Sequence, residues 1–510
     1  MAEFLKNNLI LISIFLLAVI IRFLYFPNNI YFGFDQARDA FVVHELLGGN
    51  LRLVGPTTLI DGLFHGPLYY YIFAPIYFFA NGNPEWVSAF LRIFNSVGVV
   101  TVFMIGAVLF GRKTAFVAAF LYAVSFEQTQ FAIYLNHPSM AVQAVLLYYL
   151  GLSILLFRKK WWGLVITMAG LGLSIQFEFP LIYLSVSFVL IVAGLGIWGK
   201  QLPRLKIKQL LLSIGIFLSI MTSFILAEIK FHFKGVETLV YGILLSSDTG
   251  TKADVFQNLV TIYSRFIEDS VSIYAPGWTG LGIFFVAIFL IWKKYELKKT
   301  VFLLIWFGVG LIPYLKNTAS IPLYYYSGAA SVAAIIFVSF LLIKLSQKYI
   351  LLSGLIVLLI VISNAILINK YNHSGTIPSI NVQSGMLWSD QKKVVDYIYQ
   401  NSHGEPFAVN ALSVPLNVNM VWSYVIEQYG KEKYGYLPVW GGDAAEGYYG
   451  NLTVEKARSN LPDKQYLILE PTRGIEQYMI DDFLIQENLF TKVIEEKQFG
   501  LINVQFRQKI

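Results

Sequence analysis

Long apolar runs alternate with short polar breaks as far as about residue 370, and then the rhythm stops. Runs near the length of a membrane-crossing helix fall at 8–26, 87–110, 115–133, 139–157, 161–178, 180–198, 209–228, 278–292, 300–315, 324–343 and 350–369. The pattern predicts a polytopic α-helical membrane protein of about eleven transmembrane helices. The first run is long and leads into "RFLYFPNN" rather than a small-residue cleavage site, so an uncleaved first helix is expected. Three segments depart from the pattern. The loop 27–86 holds only a short apolar piece, "GPLYYYIFAPIYFFA", which is re-entrant or interfacial by its length. A second loop covers about 228–277, and a tail covers 371–510. In the tail, "DQKKVVDYIYQN" reads as an amphipathic helix, and "PFAVNAL", "KQYLILEP" and "FGLINVQF" read as strands. The expected division is a transmembrane domain, 1–370, followed by a small C-terminal extracytoplasmic α/β domain, 371–510.

Charge supports the same layout. Arg112-Lys113, Arg158-Lys159-Lys160, Lys200 to Lys208, Lys293 to Lys299 and Lys344 with Lys348 occupy alternate loops, and the loops between hold almost no Lys or Arg. By the positive-inside rule the basic set is cytoplasmic. The N-terminus is then inside, and an odd number of crossings leaves the tail outside a plasma (inner) membrane. The net charge of +7 is mostly this topological signal, so nucleic acid is not an expected partner. Hydrophobic residues make up 56% of the chain and charged ones 14%, where a soluble protein carries about 25% charged residues. The absence of cysteine excludes disulfides, thiolate chemistry and Cys-type zinc sites. There is no GxxxxGK[ST] loop, HExxH or GxSxG.

Ionisable groups concentrate in the loops expected outside. "YFGFDQARDAFVVHELLGGN" suggests a helix capped by Asp35 and running through Leu47, with Asp39 and Arg38 near Asp35 on one side. A carboxylate there can take a proton and a guanidinium can hold a phosphate; equally, the trio can be a capped surface helix with a local ion pair. In "IDGLFHGPLYYY", His65 can donate a hydrogen bond or a proton, and Tyr69 and Tyr70 suit contact with sugar or phosphate or an interfacial aromatic belt. Glu127, Asn136, His137 and Glu178 lie between apolar segments, either as substrate contacts or as helix-end residues. Lys316, with Tyr324 and Tyr325, can bind a lipid phosphate or simply snorkel beside a belt.

A first helix, a long loop opening on an acidic motif and a Pro-aromatic turn together resemble the GT-C superfamily of membrane glycosyltransferases. The likeness is strongest to the protein O-mannosyltransferase and lipid A aminoarabinose transferase families. Asp35-Gln36-Ala37-Arg38-Asp39-Ala40 is similar to their Asp-Glu motif, His65-Gly66-Pro67-Leu68-Tyr69-Tyr70 to their Lys-Pro-Pro-Leu turn, and Ile321-Pro322-Leu323-Tyr324-Tyr325 to the entry of a late helix. The resemblance implies inverting transfer of a hexosyl or pentosyl group from a polyprenyl-phosphate donor to a protein, lipid or glycan acceptor at the outer membrane face. Asp35 would be the base, or Asp39 in its place. Arg38, His65 and Lys316 would hold the donor phosphate, and membrane lipids would surround the bundle. Gln36 replaces the second acid of the motif, and Gly66 stands where the family has Lys before Pro. No cofactor is expected and no metal ligands are assigned, with a divalent metal left open. The alternatives are a transporter or flippase of lipid-linked saccharides, or a membrane-anchored binding or assembly protein; the first tends to show internal repeats, which this chain lacks.

Overall fold

The computed structural model describes residues 2–58, 60, 62–244, 252–271, 286, 289–290, 293, 296–315, 327–377, 380 and 383–510. Eight helices carry the chain to the region of interest: α1 (Ala2–Arg22), α2 (Phe34–Leu47), α3 (Leu68–Phe79), α4 (Pro84–Phe110), α5 (Arg112–Val124), α6 (Phe126–Ile133), α7 (Pro138–Phe157) and α8 (Trp162–Phe177).

This is a multi-pass membrane protein by its apolar helices. Among the described residues five are long and apolar enough to cross a membrane: Pro84–Phe110, Pro138–Phe157, Phe179–Trp198, Leu297–Tyr314 and Ile350–Ser374. The count rises to seven if α5 with α6, bent by 55°, and Ile207–Ile220 with Thr222–Lys230, bent by 58°, each form one span. The expected eleven is not reached by this measure. Asn8–Arg22, Trp162–Phe177 and Ala330–Ser346 coincide with expected spans but are shorter, and 278–292 lies largely outside the described residues.

Small residues bring α7 and α8 together. A side chain at Gly151 would overlap the backbone at Thr167, and one at Gly170 would overlap the backbone at Tyr148. With lipid as solvent, such close backbone approach supplies the dispersion contacts that hold helices together. The pair runs antiparallel, so the start of α7 lies beside the end of α8. Polar anchors fix the other wall. Arg22, fully buried, donates to Asn95 at 2.6 Å and to the Ala123 carbonyl at 3.0 Å, and Arg92 donates to Asn29 at 2.8 Å. Both guanidiniums tie the root of the first loop to α4 and α5.

The tail folds around a five-stranded sheet of order β2-β1-β3-β5-β4: β1 (Phe407–Leu412), β2 (Val439–Trp440), β3 (Lys464–Leu469), β4 (Thr491–Phe499) and β5 (Ile502–Lys509). β1 is parallel to β2 and β3, and the β3–β5 and β5–β4 pairs are antiparallel. The helix Trp388–Ser402 packs against β4 and β5. The tail docks on the first loop. Phe32 donates its N–H to the Met386 carbonyl, and its ring meets Trp388 and Tyr424 at 5.1 and 5.2 Å. Phe41 stacks on Tyr449, and Arg52, Glu45 and Tyr449 form one polar knot.

Candidate active site

The motif helix α2 runs to Leu47 as expected, but Asp35 does not cap it. Gly33 is the N-cap residue and Asp35 sits in the first turn. The cap is closed by Gln36, whose side-chain oxygen accepts from the Gly33 N–H at 3.1 Å while its Nε2 donates to the Leu135 carbonyl at 3.0 Å. Gln36 is buried, and a carboxylate there could accept but not donate. The missing acid is thus a residue that needs both functions of an amide.

Asp35, Arg38, Asp39 and Tyr70 form one cluster. Arg38 holds Asp35 at 2.8 Å through one terminal nitrogen and Asp39 at 2.8 Å through the other, and Tyr70 donates to Asp39 at 3.1 Å. Asp35 keeps 46% of its side chain exposed against 7% for Asp39. Burial pushes the Asp39 carboxyl up to about 7, against the pull of Arg38. Burial also opposes the charge on Arg38, but Asp39 and Asp35 overcome it and raise the guanidinium further.

A second cluster joins three turns distant in sequence. Gly66 brings the first turn in: its N–H donates to the Gln176 carbonyl at 2.9 Å, and a Cβ there would overlap the side chain of Gln176 and come within 2.8 Å of that carbonyl. His65, just before it, accepts from the Phe179 N–H at 3.1 Å through Nδ1. His137, at the start of α7, donates from Nδ1 to the Phe177 carbonyl at 2.6 Å. Glu178, at the end of α8, lies between them, its oxygens 3.6 Å from His65 Nδ1 and 3.1 Å from His137 Nδ1. All three side chains are buried, and their ligating atoms lie within 4.8 Å of one another. Burial lowers both imidazoles to about 3, with Arg38 adding to the effect, and raises the Glu178 carboxyl to about 7. Two neutral rings beside a carboxyl group therefore describe the trio better than an ion pair does. The sequence assigns no metal ligands and leaves a divalent metal open; two imidazoles and one carboxyl group so placed are a group that could hold one.

Rings link the two clusters. His65 and His137 lie 4.3 Å apart, His137 and Tyr69 5.6 Å, and Tyr69 and Tyr70 4.4 Å. Asn136 is buried next to His137, accepting its N–H at 2.7 Å and donating to Tyr134. Glu127 is placed elsewhere: it accepts from Ser270 and Gln128, and among the described residues it has no hydrogen bond to either cluster. Lys316, Tyr324 and Tyr325 lie outside the described residues. A cavity of about 400 Å³, lined by Ala40, His44, Tyr77, Tyr424 and Gln428 among others, opens on the face of α2 turned away from Asp35.

Residues 64–226 match the family model for dolichyl-phosphate-mannose-protein mannosyltransferase, a segment that holds the His65-Gly66-Pro67 turn and begins after Asp39. The fold is similar to that of ArnT from Cupriavidus metallidurans bound to undecaprenyl phosphate, at 11% identity over 98% of both chains with a TM-score of 0.62. The chain carries the GT-C fold. It is also similar to the apo oligosaccharyltransferase of Archaeoglobus fulgidus, at 13% identity over 83% of this chain and 64% of that one, with a TM-score of 0.55. No curated protein matches by sequence. The likeness to GT-C glycosyltransferases, and to the mannosyltransferase and ArnT branches in particular, agrees with the resemblance carried by the first-loop motifs.

Proposed function

We propose that the protein transfers a sugar from a polyprenyl-phosphate donor to an acceptor at the outer face of the membrane, with inversion and with Asp35 as base. The observation that carries this reading is the half-exposed Asp35 carboxylate held at 2.8 Å on Arg38, in the loop after the first helix of a GT-C fold. Asp35 is the carboxylate of the pair open to an incoming hydroxyl or amide. Asp39 is covered by Arg38 and Tyr70 and acts on the guanidinium. Arg38 would stabilise the lipid phosphate as it leaves. That phosphate is a good leaving group, so positioning and charge stabilisation carry most of the rate. The similarity to an ArnT structure that contains undecaprenyl phosphate supports a lipid-phosphate donor. The bundle would admit the lipid laterally, and the tail, docked on the first loop, would shape the acceptor side. The test is transfer of label from a prenyl-linked sugar in membranes containing the protein. Asp35→Asn should lower it by about 10²-fold or more, and full activity in that variant would overturn the role of Asp35.

A further inference from the structure

We propose that His65, His137 and Glu178 bind a divalent transition-metal ion of the zinc type. Three turns, after residue 64, before α7 and after α8, converge to place two imidazoles and one carboxyl group with their ligating atoms within 4.8 Å of one another. Neither oxygen of Glu178 has a hydrogen-bond partner among the described residues, although both are buried. A buried carboxyl group left without partners costs free energy, and something must stand against it. The histidines do not meet that need as they are held. His137 gives its Nδ1 proton to the Phe177 carbonyl at 2.6 Å, which leaves Nε2 with a lone pair. His65 accepts the Phe179 N–H on Nδ1, so this unprotonated nitrogen stands 3.6 Å from Glu178 Oε1, acceptor against acceptor, and a bound ion would take its lone pair in place of that N–H. A cation among the three reverses that repulsion.

The donor set suits the ion. Imidazole and carboxylate together favour zinc and its first-row neighbours over calcium or magnesium, and two His with one Glu is a three-ligand set that leaves a coordination position open. The supporting contacts have the expected form too. Metal-bound imidazoles donate the other ring N–H to a backbone carbonyl, as His137 does to Phe177. Tyr69, whose ring centroid lies 5.6 Å from that of His137, has a buried hydroxyl with no hydrogen-bond partner among the described residues.

Metal occupancy is read on the purified full chain without donor or acceptor, so it is decided separately from sugar transfer. The detergent-solubilised protein is stripped with a chelator and titrated with Co²⁺, then with Zn²⁺. The expected result is one ion per chain, a Co²⁺ d–d absorption band displaced by Zn²⁺, and affinity reduced tenfold or more in both His137→Gln and Glu178→Gln. Absence of a saturable site, or unchanged affinity in both variants, would overturn the assignment. Zn-edge X-ray absorption of the wild-type protein covers the case in which a variant fails to fold. Two imidazole scatterers in the first shell support the site, and a shell with none rejects it.

Discussion

Gln36 and Leu135 lock two loops together. The Gln36 amide donates to the Leu135 carbonyl at 3.0 Å while its oxygen caps α2 at Gly33, so the helix that carries Asp35 and Arg38 is held against the turn that carries His137. Gln36→Glu, which restores the acid of the resembling families, should lower stability by about 1–3 kcal/mol, because a buried acceptor would face a carbonyl oxygen. Thermal unfolding in detergent reads this, and an unchanged melting temperature would contradict the bridging role.

Asp35 and Asp39 should separate by phenotype. Asp35→Asn should cost about 10²–10⁴-fold in transfer rate, the range for removal of a general base, with little change in melting temperature because the side chain is half exposed. Asp39→Asn should chiefly raise the donor KM by loosening Arg38. Equal loss of kcat in the two variants, with KM unmoved in both, would mean that Asp39 shares the chemistry.

The Asp39 carboxyl gives a pH signature. Its folded value is raised to about 7 by burial, above its value of about 4 in an unfolded chain. Between those values the folded state holds a proton that the unfolded state has released. Its contribution to stability is therefore full below pH 4 and declines as the pH rises towards 7. Asp39→Asn should flatten that slope. Glu178 and Glu470 are raised in the same way, so the slope should shrink rather than vanish. Melting temperature against pH for both proteins checks this, and parallel curves would count against a protonated Asp39.

The tail should detach when Phe32 is truncated. Phe32 is buried against Trp388 and Tyr424, and large-to-small replacement at such a site costs about 3–5 kcal/mol. Phe32→Ala should make the segment after residue 377 sensitive to limited proteolysis while the helical bundle resists. Wild-type protease resistance of that segment would show that the docking rests on other contacts.

Sequence carried the local features well and the convergent ones poorly. The end of α2 at Leu47 and the Pro67 turn were legible because Gly48, Gly49 and Pro67 punctuate the chain. Of the segments expected as strands, 406–412 and 464–471 hold β1 and β3, while 499–506 holds only the first part of β5, which runs on to Lys509. β4 was missed, since Lys492, Glu495, Glu496 and Lys497 leave it exposed and without an apolar face to alternate. Phe499, expected to open a strand, instead ends β4 before the Gly500 turn. His65, His137 and Glu178 each stood out as an ionisable residue beside apolar runs, but so did Glu127, which the fold sends to Ser270. Residues so far apart in sequence converge only through the packing of α7 on α8 and the docking of the Gly66 turn on Gln176, and no local period encodes that.

Gly66 has a consequence for redesign of the site. Its place against Gln176 leaves no room for a side chain, so a lysine at position 66 cannot be fitted by that substitution alone. Gln176 and the turn around it would have to move first, and Gln176 is itself tied by its amide to the Ile220 carbonyl and to Ser223. Gly66, Gln176 and the anchors of Gln176 therefore form one steric unit, and a positive charge can be built into this turn only by redesigning all of them together.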